Sequence, residues 1–164
     1  MDYSNKYKII SELHILSEIN FGYIGDYPVA GMGEPWSMKI GETQDILKKH
    51  GIGAILTLTE EDMYGPKHMT AGFKTCHVPI DDCEAPTMKA MENAIEFIDV
   101  SVETGLKVAV HCFEGRGRTG TVLCGWVGLK ESLTGEKAIK RIYELRPCSV
   151  ITPPQRKFLC EFLG

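Results

Sequence analysis

The stretch HCFEGRGRTG at residues 111–120 decides the fold. It follows KVAVH at 107–111, a short apolar run typical of a buried strand, and it leads into TGTVLCGWVGLK at 119–130, which is typical of a buried helix. A loop that enters a helix N-terminus directs several backbone N–H groups at one point, where the helix dipole adds positive potential. Gly115 and Gly117 allow the chain to curl into such a nest. The stretch therefore predicts an anion-binding loop between a strand and a helix.

Three side chains give this loop a reactive character. Arg118 carries a guanidinium that can bind two oxygens of one phosphate. Cys112 stands at the mouth of the loop, where the groups that hold a phosphate also stabilise a thiolate. A thiolate aimed at a bound phosphorus forms a phosphocysteine, which divides one hydrolysis into two displacements. Thr119 is placed to hydrogen-bond the sulfur and help it leave. The alternative is that Cys112 is one more buried free cysteine.

The composition sets the broad class of the chain. Of its 164 residues, 43% are hydrophobic and 24% are charged, and no internal repeat or linker-like segment is visible, so we expect a single domain over residues 1–164. Lys and Arg number 18 against 22 Asp and Glu, and the net charge of -4 gives no general attraction to nucleic acid or to an anionic membrane. A phosphorylated partner must therefore be met by a local site.

Six cysteines are the most informative feature of the composition. They form no C-x-x-C pair and no cluster with zinc-finger spacing, so neither a metal nor another cofactor is expected. The first twenty residues interleave charges with single apolar residues, unlike a secretory signal, and no apolar run is long enough to span a bilayer. We therefore expect free thiols in a cytoplasmic protein without integral membrane association.

Turn residues and hydrophobic periodicity divide the rest of the chain. The N-terminal third is predicted to be rich in β-structure and interrupted by turns, whereas apolar residues recur at steps of three and four later in the chain. The order of elements argues for a layered α/β fold. The last helix is predicted to open on a capping box, TPPQ at 152–155. Further strands are predicted at 21–24, 53–59 and 73–80, and further helices at 41–50, 87–103 and 136–146.

The pattern His111-Cys112-x5-Arg118-Thr119 resembles the signature loop of the cysteine-dependent protein tyrosine phosphatases, and the surroundings resemble the small atypical dual-specificity phosphatases. The similarity covers most of the chain, from 20–24 through 29–33 and 56–60 to 146–147 and the final helix. In that family a central five-stranded, mostly parallel sheet is flanked by helices, with the loop at the carboxyl end of a central strand, where open α/β sheets bind ligands. The resemblance implies the same fold here.

The family also uses an aspartate about 30 residues before the cysteine, which protonates the leaving group and then activates water. The segment VPIDDCEAP at 78–86 matches that region. The family's Pro-x-x-Asp arrangement favours Asp82 as this residue, and Asp81 is the competing candidate. The aspartate that is not used would belong to a solvated turn that caps the next helix.

Other residues near the loop have supporting roles in the family. His111 is expected to orient the loop and not to act as a general base. Gln155 is similar in position to a water-positioning glutamine of some relatives, but it is also the N3 residue of a capping box that begins at Thr152. Arg116 either contacts the substrate or is solvated, since Glu114 offsets its charge. The residues expected to surround the substrate phosphate are Phe113, Glu114, Gly115, Arg116, Gly117 and Arg118.

Three further cysteines are candidates for a protective role. A low-pKa thiolate oxidises readily, and a second cysteine can condense with it before further damage occurs. Cys76, Cys83 or Cys124 could form such a reversible disulfide with Cys112. The alternative is that all three are ordinary core cysteines.

The leading interpretation is a monomeric phosphatase, a phosphoric monoester hydrolase that acts on phosphotyrosine and also on phosphoserine and phosphothreonine in proteins. The family architecture gives so short a chain a shallow cleft. An alternative is a phosphoinositide or small phosphate-ester phosphatase, although lipid-directed relatives tend to carry lysines where this loop has Phe113, Glu114 and a single Arg116. A rhodanese-like sulfurtransferase and a phosphate-binding module without turnover are less favoured, because nucleophile, arginine and candidate acid are all present.

Overall fold

A mixed five-stranded sheet lies between two sets of helices in the computed structural model, which describes residues 3–35 and 39–164. The loop singled out above joins the last strand to the helix that follows it. The elements in chain order are α1 (Tyr3–Glu18), β1 (Gly22–Tyr23), β2 (Val29–Met32), α2 (Ile40–Lys49), β3 (Ile52–Thr57), α3 (Gly65–Thr70), β4 (Lys74–His77), α4 (Met88–Glu103), β5 (Lys107–His111), α5 (Gly117–Lys130), α6 (Gly135–Leu145) and α7 (Pro153–Leu163).

The strands are arranged in the order β1-β2-β5-β3-β4. The β1 strand pairs antiparallel with β2, and all other neighbours are parallel. Ala109 in the central strand β5 is paired with Ala30 on one side and with Ile55 on the other. This confirms the mostly parallel five-stranded sheet. It also brings the segments that follow β2, β3 and β5 to the same edge, where a ligand of an open α/β sheet binds.

Alternation along the central strands separates the two faces of the sheet. Val108 and Val110 belong to a large core cluster that also contains apolar residues of α4, α5, α6 and α7. Ala109 and Ile55 belong to a smaller cluster, which includes Leu47 of α2. Since successive side chains of a strand point to opposite faces, helices pack on both sides of the sheet. Among residues 3–35 and 39–164, no helix combines the length and the hydrophobicity needed to cross a bilayer.

The predicted helix boundaries agree closely with the structure in the second half of the chain. Thr87 is the N-cap of α4, where its Oγ1 accepts a hydrogen bond from the amide of Ala90 at 3.1 Å. Both reciprocal bonds of the predicted capping box between Thr152 and Gln155 are present at the start of α7. The helix after the loop begins at Gly117, slightly earlier than the predicted start at Thr119. Gly117 and Arg118 therefore lie in the first turn of α5.

The beginning of the chain differs from its sequence prediction. The expectation of a β-rich N-terminal third is wrong for residues 3–18, which form α1. Apolar residues such as Ile10 and Leu13 remain exposed on this helix, while Ile15 is buried. The helix therefore lacks the buried face that produces a clear period of 3.6 in the sequence.

The β2 strand is a second element that the sequence pattern does not predict. Turns are predicted to interrupt this part of the chain, but Gly31 lies inside the strand. A Cβ atom at Gly31 would lie 2.7 Å from Nε of Arg146, so the glycine permits a close approach of that side chain. The short helix α3, with a proline in its first turn, was also not predicted.

The contact between α6 and α7 provides a test of the packing. A Cβ atom at Gly135, the first residue of α6, would lie 2.5 Å from Cα of Cys160 in α7. We expect Gly135→Ala to lower the free energy of unfolding by about 1–3 kcal/mol, because backbone atoms must move apart. Gly41 in α2 has open space around it, so Gly41→Ala should leave the stability unchanged or raise it by about 0.4–1 kcal/mol. Urea unfolding followed by circular dichroism measures both; equal stabilities of the two variants would contradict the close packing.

Candidate active site

The loop after β5 is shaped by close contact with the end of β2. Gly115 has a φ of +73°, in the left-handed region, and a Cβ atom there would overlap the backbone of Met32. The amide of Glu34 donates a hydrogen bond to the carbonyl of Phe113 at 2.9 Å. A residue with a side chain at position 115 would push the loop away from the sheet. The predicted role of Gly115 as the point where the chain curls thus has a specific steric cause.

Cys112 lies at the floor of a cleft at the N-terminus of α5. The residue is only 3% exposed. The hydroxyl of Thr119 donates a hydrogen bond to Sγ of Cys112 at 3.1 Å, as the sequence predicts. Asp82, Arg118 and Thr152 line the same cleft. The sulfur therefore faces a concave surface that carries both a cation and a carboxylate.

Arg118 is a buried cation held by three acceptors. The residue is 4% exposed, and its Nη1 donates to Oε2 of Glu60 at 2.7 Å and to the carbonyl of Ile80 at 3.0 Å. Its Nη2 lies 3.1 Å from Oδ1 of Asp82. Burial acts to lower the pKa of Arg118, but Glu60, Cys112 and Asp82 outweigh it and raise the pKa. Nε has no hydrogen-bond partner among the residues that the structure describes, so it can bind a further oxygen.

The two candidate aspartates lie in different surroundings. Asp82 is 72% exposed, and its Oδ1 pairs with Arg118 and accepts a hydrogen bond from the amide of Cys83 at 3.0 Å. Asp81 is exposed, and its carbonyl closes a turn with the amide of Glu84 at 3.1 Å. The geometry brings Asp82 to the cleft. Neither aspartate caps α4, because Thr87 does so.

Glu60 is a site residue that the sequence analysis missed. One of its oxygens binds Arg118, and the other accepts a hydrogen bond from the amide of Asp82 at 3.0 Å. Hydrogen bonds from its own backbone N–H and from Arg118 hold the pKa of Glu60 below its usual value. Glu60 follows β3, the neighbour of β5 in the sheet. The order of the strands is the signal that could have found it, since residues after adjacent parallel strands meet at one edge.

His111 fastens the start of the loop to the neighbouring strand. Its Nε2 lies 2.9 Å from Oγ1 of Thr57, and its Nδ1 lies 3.4 Å from the carbonyl of Cys112. Burial, followed by the nearby His68, lowers the pKa of His111 to about 4. The imidazole is therefore buried and bonded on both sides, and its orienting role stays a prediction.

Arg146 and Asn20 support the loop from outside, and neither was predicted to do so. Arg146 is buried, and its Nη1 donates to the carbonyl of Gly115 at 2.6 Å, while its Nη2 donates to the carbonyl of Asn20 at 2.8 Å. The side-chain amide of Asn20 donates to the carbonyl of Glu114 at 3.0 Å. These bonds tie two loop carbonyls away from the cleft. The contacts join segments too distant in the sequence to be found from local patterns.

The other predicted residues lie around the rim or below it. Phe113 is 60% exposed at the rim, and Arg116 is exposed beside it. Gly117 opens α5. Gln155 is fully buried, with Oε1 accepting from the amide of Thr152 at 3.0 Å. The predicted residues that line the cleft with Cys112 are Phe113, Glu114, Arg116, Gly117 and Arg118. Gly115 does not line it but packs against the end of β2, and Gln155 is buried next to Gly117.

The three candidate redox cysteines are not equivalent. Cys83 is exposed and lines the same cleft as Cys112. Cys124 is fully buried, and burial together with Cys160 raises its pKa to about 12. Cys76 is half-buried, and burial raises its pKa. A disulfide with Cys112 stays a prediction, and Cys83 is its best-placed partner.

The reactive and charged groups at this site are side chains of the protein itself. Within the described ranges, no group of three or more His, Cys, Asp or Glu side chains is arranged to hold a metal ion. The cationic group beside the sulfur is Arg118. The protein's own side chains therefore supply a nucleophile, a cation and a carboxylate.

Comparison with known proteins assigns this arrangement to a family. A family model described as "Polymorphic toxin system, DSP-PTPase phosphatase" matches residues 30–130, which include the loop and the segment of Asp82. The phosphatidylglycerophosphate phosphatase PTPMT2 of Arabidopsis thaliana is 32% identical over 120 residues, which cover 71% of this chain and 53% of that protein. The tyrosine-protein phosphatase cdc-14 of Caenorhabditis elegans is 32% identical over 117 residues, 71% of this chain and 16% of that protein. The chain therefore spans about half, or less, of the length of these relatives.

A solved structure shows the same fold. The crystal structure of Tk-PTP in its active form superposes with a TM-score of 0.77 at 28% sequence identity, covering 88% of this chain and 96% of that chain. The architecture implied by the sequence resemblance is thereby confirmed.

The buried His111 predicts how stability depends on pH. Its pKa is about 4 in the folded chain, against 6.5 for an ordinary histidine, so between these values the unfolded chain binds a proton that the folded chain does not. We expect stability to fall as the pH drops from 7 to 5, with roughly 2 kcal/mol of the loss due to His111. The measurement is urea unfolding of the wild type, His111→Gln and, as a control on the exposed face of α1, His14→Gln. The account would be contradicted if the free energy of unfolding of His111→Gln fell as steeply between pH 7 and pH 5 as that of the wild type.

Proposed function

We propose that this chain, which belongs to the DSP-PTPase family of phosphatases, hydrolyses phosphate monoesters of tyrosine, serine and threonine in proteins through a phosphocysteine. The observation that carries the proposal is the convergence of Cys112, Arg118 and Asp82 on one cleft. A buried sulfur beside a guanidinium and a carboxylate supplies each group that a two-step phosphoryl transfer needs.

In the first step the substrate phosphate binds in the loop, with oxygens on the N–H groups of the α5 N-terminus and on Arg118. The sulfur of Cys112 attacks phosphorus as the bond from phosphorus to the ester oxygen breaks. Asp82 gives its proton to the departing oxygen. The products are a free alcohol or phenol and a phosphocysteine.

In the second step water attacks the phosphocysteine. The carboxylate of Asp82 removes a proton from the water, while the bond between sulfur and phosphorus breaks and Cys112 leaves as a thiolate. The hydrogen bond from Thr119 to Sγ, 3.1 Å long, stabilises that thiolate. Inorganic phosphate is released and the site is restored.

The substrate class is supported by the charge around the rim. Phe113 borders two side grooves next to the phosphate cleft. One groove carries the carboxylates of Glu34, Glu60 and Glu61 against the single cation Arg118, with the proposed acid Asp82 beside them. The other groove carries Glu18, Glu34 and Glu114 against Arg116, and Lys39 pairs with Glu18 at 3.4 Å. Lysine or arginine residues beside a phosphorylated residue would be attracted to these grooves, whereas an anionic headgroup would be repelled.

A second candidate is a phospholipid phosphatase with the same chemistry. Its support is the similarity to a phosphatidylglycerophosphate phosphatase reported above. The acidic grooves count against it, because such a substrate brings further negative charge to the rim. The two candidates therefore differ in a measurable substrate preference.

We also propose that the protein acts as a monomer in the reducing environment of the cytoplasm. All six cysteines are free in the structure, which agrees with a reducing compartment. A thiolate nucleophile requires such conditions to stay active.

Replacement of the nucleophile tests the chemistry. We expect Cys112→Ser to reduce release of inorganic phosphate from a small aryl phosphate by about 10³-fold or more, because a serine hydroxyl is not ionised at neutral pH. Cys160→Ser, which changes a cysteine of α7 outside the cleft, serves as the matched control and should retain activity. Equal turnover by Cys112→Ser and the wild type, or an inert wild type, would refute the proposal.

Matched phosphopeptides test the substrate class. We expect kcat/KM to be about fivefold higher for a phosphotyrosine peptide flanked by arginines than for one flanked by glutamates, since exposed ion pairs contribute up to about 1 kcal/mol each. Glu61→Gln should reduce this ratio, and Glu92→Gln in α4 should not. Equal kcat/KM values for the two peptides would show that the acidic grooves do not select the substrate. Faster turnover of vesicles that contain phosphatidylglycerophosphate than of either peptide would favour the second candidate.

A further inference from the structure

We propose that Thr152 is a positioning residue for the acid. Together with Gln155, it holds the loop at 80–84 by the backbone, so that Asp82 remains beside Cys112 when a substrate phosphate occupies Arg118. The inference rests on the proposed function, and it adds a role for the N-terminus of α7.

Thr152 and Gln155, which form the reciprocal bonds of the capping box, each also bond to residues outside their own helix. The hydroxyl of Thr152 accepts a hydrogen bond from the amide of Gln155 at 3.4 Å and donates one to the carbonyl of Cys83 at 2.9 Å. The side-chain amide of Gln155 donates to the carbonyl of Glu84 at 3.1 Å. The helix end therefore binds two successive carbonyls immediately after Asp82.

The backbone at these carbonyls needs external support. Cys83 has a φ of +62°, in the left-handed region that residues with a side chain seldom adopt. The amide of Glu84 closes the turn on the carbonyl of Asp81. This turn presents both carbonyls to α7, and its unusual conformation persists because neighbouring groups hold it.

The amide of Ile80 is held by the carbonyl of Leu58 at 3.1 Å, but the hydrogen bonds that hold Asp82 from outside the loop depend on Arg118. The guanidinium binds the carbonyl of Ile80 and Oδ1 of Asp82, and it also binds Glu60, whose second oxygen holds the amide of Asp82. A phosphate in the cleft competes with these acceptors for the same N–H groups. The bonds from α7 involve no group that the phosphate takes. They can therefore keep the loop in place while the carboxyl of Asp82 turns to the leaving oxygen.

The N-terminus of α7 is fixed by burial and by packing against the core. Gln155 is fully buried, and Phe158 and Leu159 of the same helix belong to the large core cluster. The carbonyl of Arg116, just before α5, accepts a hydrogen bond from the amide of Val150 at 3.3 Å. The segment that leads into α7 thus contacts the phosphate loop as well as the acid loop. It fixes the distance between the acid and the nucleophile.

Leaving-group dependence provides the test. 4-Nitrophenyl phosphate releases an anion that needs no proton, whereas phenyl phosphate depends on the acid, which supplies about 10²–10⁴-fold in such reactions. We expect Thr152→Val to lower kcat/KM for phenyl phosphate about tenfold more than for 4-nitrophenyl phosphate. Thr152→Ser, which keeps the hydroxyl, should restore the wild-type ratio of the two substrates.

A double-mutant cycle separates positioning from general damage. In an Asp82→Asn background, Thr152→Val should cause no further change in the ratio, because the acid is already absent. Thr152→Asp serves if the valine variant does not fold, since aspartate keeps the N-cap acceptor but, when ionised, cannot donate to the carbonyl of Cys83. Equal losses on both substrates, an unchanged ratio, or a change that persists without Asp82 would overturn the inference. A wild type inert on both substrates would instead refute the proposed function.

Discussion

The buried guanidinium of Arg118 is the group on which the architecture of the site depends. A charge removed from water is tolerated only when it is paired and hydrogen-bonded, and here the partners come from the segment after β3 and from the acid loop. Satisfying one cation therefore gathers Glu60, Ile80 and Asp82 around Cys112. The cation that organises the cleft is also the one proposed to bind the substrate phosphate, so a single group serves both the stability of the site and the proposed chemistry.

A second buried arginine shapes the other side of the loop. Arg146 binds the carbonyls of Gly115 and Asn20, and Asn20 in turn binds Glu114. These bonds hold two loop carbonyls away from the cleft, as an anion nest lined by amides requires. The anion site is thus preorganised by hydrogen bonds that no substrate touches, which is the condition under which electrostatic stabilisation is effective.

The sequence predicts those features whose physical cause is local. The periodic apolar face of α4, the capping box of α7 and the glycine-rich loop each leave a pattern in consecutive residues, and all three are found in the structure. The helix α1 has no such buried face and was missed. The contacts of Glu60 and Arg146 join residues 58 and 31 positions apart, so only the arrangement of the strands and helices reveals them.

Gly31 shows that the structure of the loop constrains a residue in the neighbouring strand of the sheet. It touches no substrate, and it lies 81 positions before Cys112 in the sequence, yet the space it leaves is filled by the side chain that holds Gly115. A larger residue there would displace Arg146 and loosen the anion nest without altering any reacting group. In a mutational scan scored by turnover, this strand position would be indistinguishable from the chemical machinery. Only a parallel measurement of folding could reveal its indirect role.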